Sequence, residues 1–237
     1  MSIKAVLFDL DGTLLPLDQD LFMKTYFVDL THKLVSCGLD KDKFSAALIS
    51  GIKAMMINDG KKTNETVFWE VFTGFFGAEY VERNMRHFEA FYEEDFDKVK
   101  RVCGFDKEAA ETVRSLKKRG FLTALATNPA FPSIATEKRM AWAGLQPSDF
   151  DLYTTYENSG YCKPNPDYYT DVASRLGVEP CECLMIGNDT LDDMIAEKLG
   201  MKVFLLTDCL INRENKDISK YPRGGYAELK TFLEGIC

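Results

Sequence analysis

From residue 104 onward the chain alternates two textures, and that alternation narrows the folds open to it. Short apolar runs at 121–126, 152–155, 183–186 and 202–206 are separated by single segments of helical periodicity at 132–143, 167–176 and 191–199. A further apolar run, 4–8, opens the chain, and a helix at 106–119 leads into the run at 121–126. Gly120, Gly177 and Gly200 stand directly after three of these helices as stops, and Pro132 opens another. Strands joined through single helices pair in parallel, with right-handed crossovers. Runs that are apolar throughout, rather than at every second residue, belong to a sheet covered on both faces. The expected fold is therefore α/β: a doubly wound, Rossmann-like parallel sheet.

The first strand is followed by a different texture. From 21 to 97 the periodicity is helical, with expected helices at 21–36, 40–57, 63–76 and 78–96. The breaks fall at Cys37-Gly38, Asn58-Asp59-Gly60 and Gly77. Residues 1–15 and 104–237 are thus expected to form the α/β core, interrupted by an all-helical unit over 16–103. Phe68, Val71, Phe72, Phe75 and Phe76 recur at helical spacing and are expected to form that unit's own core.

Thirty-seven acidic against 29 basic residues leave a net charge of −8. That balance argues against nucleic acid or an anionic membrane as partner. No run approaches the ~20 apolar residues of a membrane span. Asp9 and Asp11 interrupt the N-terminal apolar stretch, which therefore does not read as a signal peptide. Seven cysteines form no regular scaffold, and Cys181-Glu182-Cys183 lacks the second pair that zinc would need. They read as reduced thiols of a cytoplasmic protein. His32 and His87, the only histidines, lie far apart and suggest no histidine-based site.

In a doubly wound sheet, ligands bind beyond the carboxyl ends of the strands. The first strand ends in Asp9-Leu10-Asp11-Gly12-Thr13, and the run at 121–126 ends in Thr127-Asn128. The loop after 155 carries Lys163-Pro164, and the run at 183–186 ends in Gly187-Asn188-Asp189, with Asp193 four residues on. Asp9 and Asp11 leave the strand on one side and repel each other unless a cation or a shared proton holds them. With Asp189 and Asp193, four carboxylates meet in one crevice. Hard oxygen ligands of this kind suit Mg²⁺, which commonly engages a substrate phosphate as well. Lys163 adds positive charge, and Thr127 with backbone N–H groups adds donors for phosphoryl oxygens.

These four motifs, in this order and each at a strand end, resemble those of the haloacid dehalogenase superfamily. The resemblance covers about 1–15 and 104–237, and the insertion is similar in place and helical content to that superfamily's C1 cap. It implies Mg²⁺ and phosphoryl transfer through an aspartyl-phosphate. Asp9 would be the nucleophile. Asp11 would protonate the leaving oxygen and then accept a proton from water, while its backbone carbonyl ligates the metal. Asp189 would be a metal ligand and Asp193 would support the metal side. Thr127 would hold a phosphoryl oxygen, and Lys163 would neutralise nucleophile and phosphate. Asn128 is a substrate contact or a turn residue beside Pro129. Asn188 is given a supporting contact only, and Asp192 a capping role at the helix start. Glu157 and Tyr161 stand where they could orient Lys163, or lie in a surface loop.

The expected activity is a Mg²⁺-dependent phosphatase acting on a small phosphorylated metabolite. The alternative is a sugar phosphomutase on the same scaffold, against which Thr13 leans, since mutase relatives often carry Val there. Dehalogenating relatives lack the second acid, so Asp11 argues against that activity. A receiver-type signalling module is disfavoured by motif order and by the insertion, and a silent binding protein by the filled motif positions. Monomer and homodimer both remain open.

Overall fold

The computed structural model describes residues 2–236. Six strands form one sheet: β1 (Ala5–Phe8), β2 (Leu122–Leu125), β3 (Leu152–Tyr153), β4 (Cys183–Gly187), β5 (Lys202–Leu206) and β6 (Arg223–Gly224). Their order is β3-β2-β1-β4-β5-β6, and every pairing is parallel. The α-helices are α1 (Gln19–Ser36), α2 (Lys41–Met56), α3 (Asn64–Phe76), α4 (Ala78–Ala90), α5 (Lys107–Lys118), α6 (Ser133–Trp142), α7 (Pro166–Leu176) and α8 (Tyr226–Gly235).

β1 explains the layering. All four of its residues are fully buried, and its side chains alternate between two cores. Val6 and Phe8 enter the cluster that holds Val113 of α5, Met140 of α6 and Leu229 of α8. Ala5 and Leu7 enter the opposite cluster, with Tyr169 and Val172 of α7. Burying a side chain such as Phe8 or Leu7 stabilises the fold by about 1.5–3 kcal/mol, which is why a strand with no polar face is stable here. The chain runs β1 to β3 towards one edge and then crosses to β4 on the other side of β1. The topological switch point, where a crevice opens, therefore lies at the ends of β1 and β4.

The helical segment between β1 and β2 leaves and returns side by side. Leu17 pairs antiparallel with Cys103, and the Gly104 N–H donates to the Pro16 carbonyl at 2.6 Å. Its helices begin where the sequence provides acceptors: Asp18, Asp40 and Thr63 each take an N–H three residues on. Phe68 and Phe72 are buried and packed with Trp69 and Phe88. Phe75, expected in that core, is exposed, while Val71 is half-buried. The start of α3 docks on the α/β core: the Asn64 N–H donates to the Ser159 carbonyl and the Glu65 N–H to Tyr156, both at 2.8 Å.

Three expectations change. The helix foreseen at 78–96 ends at Ala90 and continues as a π turn, Phe91–Asp95, and a 3-10 segment, Phe96–Val102. The Phe96 N–H reaches back to the Phe91 carbonyl, and this wider turn sets two rings five residues apart into the same core, both fully buried. The helix foreseen at 191–199 is a 3-10 segment, Met194–Leu199. Asp189 is the reason: its Oδ1 takes the N–H groups of Leu191 (2.6 Å) and Asp192 (3.0 Å), giving the chain a tight turn in place of a first α-turn. Finally, β6 and α8 extend the fold beyond the last strand read from the sequence.

Candidate active site

The crevice at the switch point encloses about 300 Å³ and is lined by Asp9, Asp11, Thr127, Asn128, Lys163, Asn188, Asp189, Asp192 and Asp193, with Gln19, Leu191, Ile211 and Arg213 at its sides. Asp9, Asp11, Thr127, Asn128, Lys163, Asp189 and Asp193 therefore reach one place. Asp9 follows β1 directly, and its N–H donates to the Ile186 carbonyl at 2.9 Å, continuing the ladder and fixing the backbone.

Lys163 organises the centre. Its side chain is 1% exposed, and Nζ donates to Asp9 Oδ1 at 2.9 Å and to Asp193 Oδ1 at 2.6 Å. Burial alone would lower its pKa, but the charges of Asp193 and Asp9 outweigh that and hold it well above the ordinary lysine value. Burial raises the Asp193 carboxyl, against the pull of Lys163. Glu157 and Tyr161 do not touch this arrangement: Glu157 accepts from the Ser133 N–H at the start of α6, and Tyr161 lies over Gly60.

Asp193 is tied through both carboxylate oxygens. Its Oδ1 takes Lys163 and its Oδ2 takes the Asp189 N–H at 3.0 Å, so both oxygens are engaged. It holds Lys163 and the turn at the edge of the crevice. Asp192 departs from the capping role expected of it. The capping role belongs to Asp189, while Asp192 lines the crevice, and burial pushes its carboxyl up to about 6.

The loop after Asp9 is tied to the loop after β4. Thr13 Oγ1 donates to Asp9 Oδ2 (3.3 Å) and Asn188 Oδ1 (3.1 Å), and Asn188 Nδ2 donates to the Cys209 carbonyl (2.7 Å). Gly12 sits between them at φ +82°, where an added Cβ would meet Asn188 Nδ2 at 2.2 Å, so only glycine fits. Thr127 is fixed by its carbonyl, which accepts from Tyr168 Oη (2.9 Å) and Thr154 Oγ1 (2.7 Å). Asn128 Oδ1 and Asp11 Oδ1 are both buried and without a partner.

The other oxygen of Asp11 reveals a residue missing from the sequence reading. Asp11 Oδ2 accepts from Arg139 Nη1, and the Arg139 side chain is 1% exposed. Burial raises the Asp11 carboxyl, opposed by Arg139. Arg139 lies within Glu137-Lys138-Arg139, which reads as an ordinary solvated helix face, so no sequence signal marked it.

The donors in this crevice are oxygens, the set that suits Mg²⁺ rather than a soft metal. Among the described residues, however, no three carboxylates already stand close enough together to hold an ion. The fit lies in donor chemistry and in the buried oxygens left without partners.

A family model described as haloacid dehalogenase-like hydrolase matches residues 3–200. The chain belongs to the haloacid dehalogenase-like hydrolases. Among curated relatives of this hydrolase, pyrophosphatase PpaX of Bacillus velezensis is 26% identical over 84% of this chain and 81% of its own length. Hexitol phosphatase B of Escherichia coli is 38% identical, but over only 37% of this chain and 38% of its own. The fold matches a solved HAD phosphatase from Thermococcus onnurineus, with a TM-score of 0.57, 22% identity and coverage of 98% and 99% of the two chains. It also matches a predicted phosphoglycolate phosphatase from Haemophilus somnus, with a TM-score of 0.60, 18% identity and the same coverage. No helix among the described residues is long and apolar enough to cross a membrane.

Proposed function

We propose that this hydrolase is a Mg²⁺-dependent phosphatase that removes phosphate from a small phosphomonoester through an aspartyl-phosphate on Asp9. The observation that carries the reading is the buried Asp9–Lys163–Asp193 arrangement, with Asp11 beside it in one oxygen-lined crevice. A carboxylate attacking a phosphate brings two anions together, and Lys163 lowers that repulsion. An oxygen of Asp9 forms the bond to phosphorus as the ester P–O bond breaks. Asp11 gives a proton to the departing oxygen, then takes one from the water that hydrolyses the phosphoryl group, and Asp9 is regenerated. Thr127 and backbone N–H groups bind the phosphoryl oxygens, and Asn128 offers its unpaired Oδ1 to the rest of the substrate.

Mg²⁺, when bound, would neutralise phosphoryl charge and orient the group for attack. Asp9, the Asp11 carbonyl and Asp189 would hold it, with Asp193 supporting the metal side through Lys163 and the turn. The helical unit 16–103 would act as a cap that closes over the crevice, excluding bulk water and large substrates. The presence of Asp11 supports an oxygen leaving group over a halide.

Phosphate release from a panel of phosphomonoesters, with pyrophosphate measured alongside them, tests the reading, with Mg²⁺ and with EDTA, on wild type and Asp9→Asn. Mg²⁺-dependent release that is lost in Asp9→Asn is expected. A folded wild type that releases phosphate from no compound refutes the hydrolase chemistry.

A further inference from the structure

Arg139 is the largest fully buried side chain in the structure, and stability alone does not explain it. Replacing a buried ion pair with well-packed apolar side chains is often neutral or stabilising. Here the guanidinium is enclosed, with the Phe131 ring 4.3 Å away and Phe22 5.9 Å away. Its remaining contacts are local and long: Nε to the Ala135 carbonyl at 3.3 Å and Nη2 to Thr136 Oγ1 at 3.4 Å. Its one strong partner is Asp11 Oδ2. The helix that carries it is anchored, because Glu157 accepts from the N–H of Ser133 at the first turn of α6 (2.8 and 3.1 Å) and from its hydroxyl (3.1 Å). Asp11 is thereby left with one oxygen committed and the other, Oδ1, buried and unpartnered.

We propose that Arg139 is a positioning residue: by holding Asp11 Oδ2 it fixes the carboxyl so that Oδ1 is the oxygen that exchanges a proton with the leaving group and then with water. This rests on the phosphatase reading above. The proton moves from Oδ1 to the departing oxygen as the P–O bond breaks. The carboxylate so formed keeps its charge-assisted bond to Arg139, and the attacking water returns a proton to Oδ1. A free carboxyl would turn about its χ angles and present either oxygen, or neither. The rigid fork of arginine suits this task better than the single ammonium of lysine.

The test compares phenyl phosphate with p-nitrophenyl phosphate. They differ little in size, but the nitrophenolate leaves without help while the phenolate needs a proton. Wild type, Asp11→Asn, Arg139→Gln, Arg139→Lys and the double variant Asp11→Asn/Arg139→Gln are measured, with folding followed by circular dichroism. Arg139→Gln is expected to lower kcat on phenyl phosphate at least tenfold more than on p-nitrophenyl phosphate, with KM little changed. Arg139→Lys is expected to recover part of that loss, and Arg139→Gln to add nothing in the Asp11→Asn background. An equal loss on both substrates, or a further loss in the double variant, overturns the role. If Arg139→Gln does not fold, Arg139→Lys carries the test: a selective loss on phenyl phosphate supports the role, and a uniform loss or none overturns it. A wild type inactive on both substrates fails differently, because it refutes the phosphatase reading itself and the role with it.

Discussion

Lys163→Met should destabilise this protein well beyond the loss of one side chain. The lysine is 1% exposed and bridges Asp9 at 2.9 Å and Asp193 at 2.6 Å. Methionine fills most of its volume, so the cavity term is small and the electrostatic term dominates. Two carboxylates would then face each other without a cation, in a site that excludes most water. Removing one partner of a buried ion pair costs about 3–5 kcal/mol. For a chain of this size, at about 2–4 °C per kcal/mol, Tm should fall by roughly 6–20 °C. The partner variant shows whether charge is the cause. Asp193→Asn in the Lys163→Met background removes one of the two stranded anions. It should cost less there than in wild type, with a coupling of about 0.5–3 kcal/mol. Urea unfolding of the four proteins at one pH measures the cycle. The reasoning is refuted if Lys163→Met costs less than about 1 kcal/mol, or if the two substitutions simply add.

Three further outcomes follow from particular contacts. Gly12→Ala should lower both Tm and phosphate release, because the position has φ +82° and the new Cβ would lie 2.2 Å from Asn188 Nδ2; a variant of unchanged Tm contradicts this. Asn64→Ala should cost about 1–3 kcal/mol in denaturant unfolding. It removes the acceptor of Asn58 Nδ2 (2.8 Å) and the donor to the Pro129 carbonyl (3.1 Å), the side-chain link between α3 and the loop after Asn128. Cys162 should resist iodoacetamide at pH 8 in the native state and react on unfolding, as peptide mapping would reveal. Burial pushes its thiol up to about 12, so the reactive thiolate is scarce at that pH. The sign for stability follows: the folded state favours the neutral thiol, so this contribution is lost as pH rises through the ordinary thiol range towards about 12.

Most of the architecture is legible in the chain because its signals are local. β1 is apolar throughout because both its faces are covered, and that leaves a run with no polar alternation to misread. Asp18, Asp40 and Thr63 start helices through bonds that span three residues, well within reach of a sequence pattern. The strand ends carry Asp9, Thr127, Lys163 and Asp189, and parallel topology alone sends all of them to one edge of the sheet.

What the tertiary structure decided depends on contacts between residues distant in sequence. How Asp192 and Asp193 sit in the crevice turned on the Asp189 carboxylate seizing the N–H groups of Leu191 and Asp192, which tightened the turn, while Asp193 became committed to Lys163, thirty residues earlier. The π turn at Phe91–Asp95 answers to the packing of two rings and not to any propensity of its residues. Arg139 is the clearest case. On a helix its neighbours Glu137 and Lys138 make it look like solvated surface, yet it is buried against Phe131 and paired with Asp11, 128 residues away. Residue types at strand ends carry the chemistry of this site, but the partner of each carboxylate is chosen only when the fold brings the chain together.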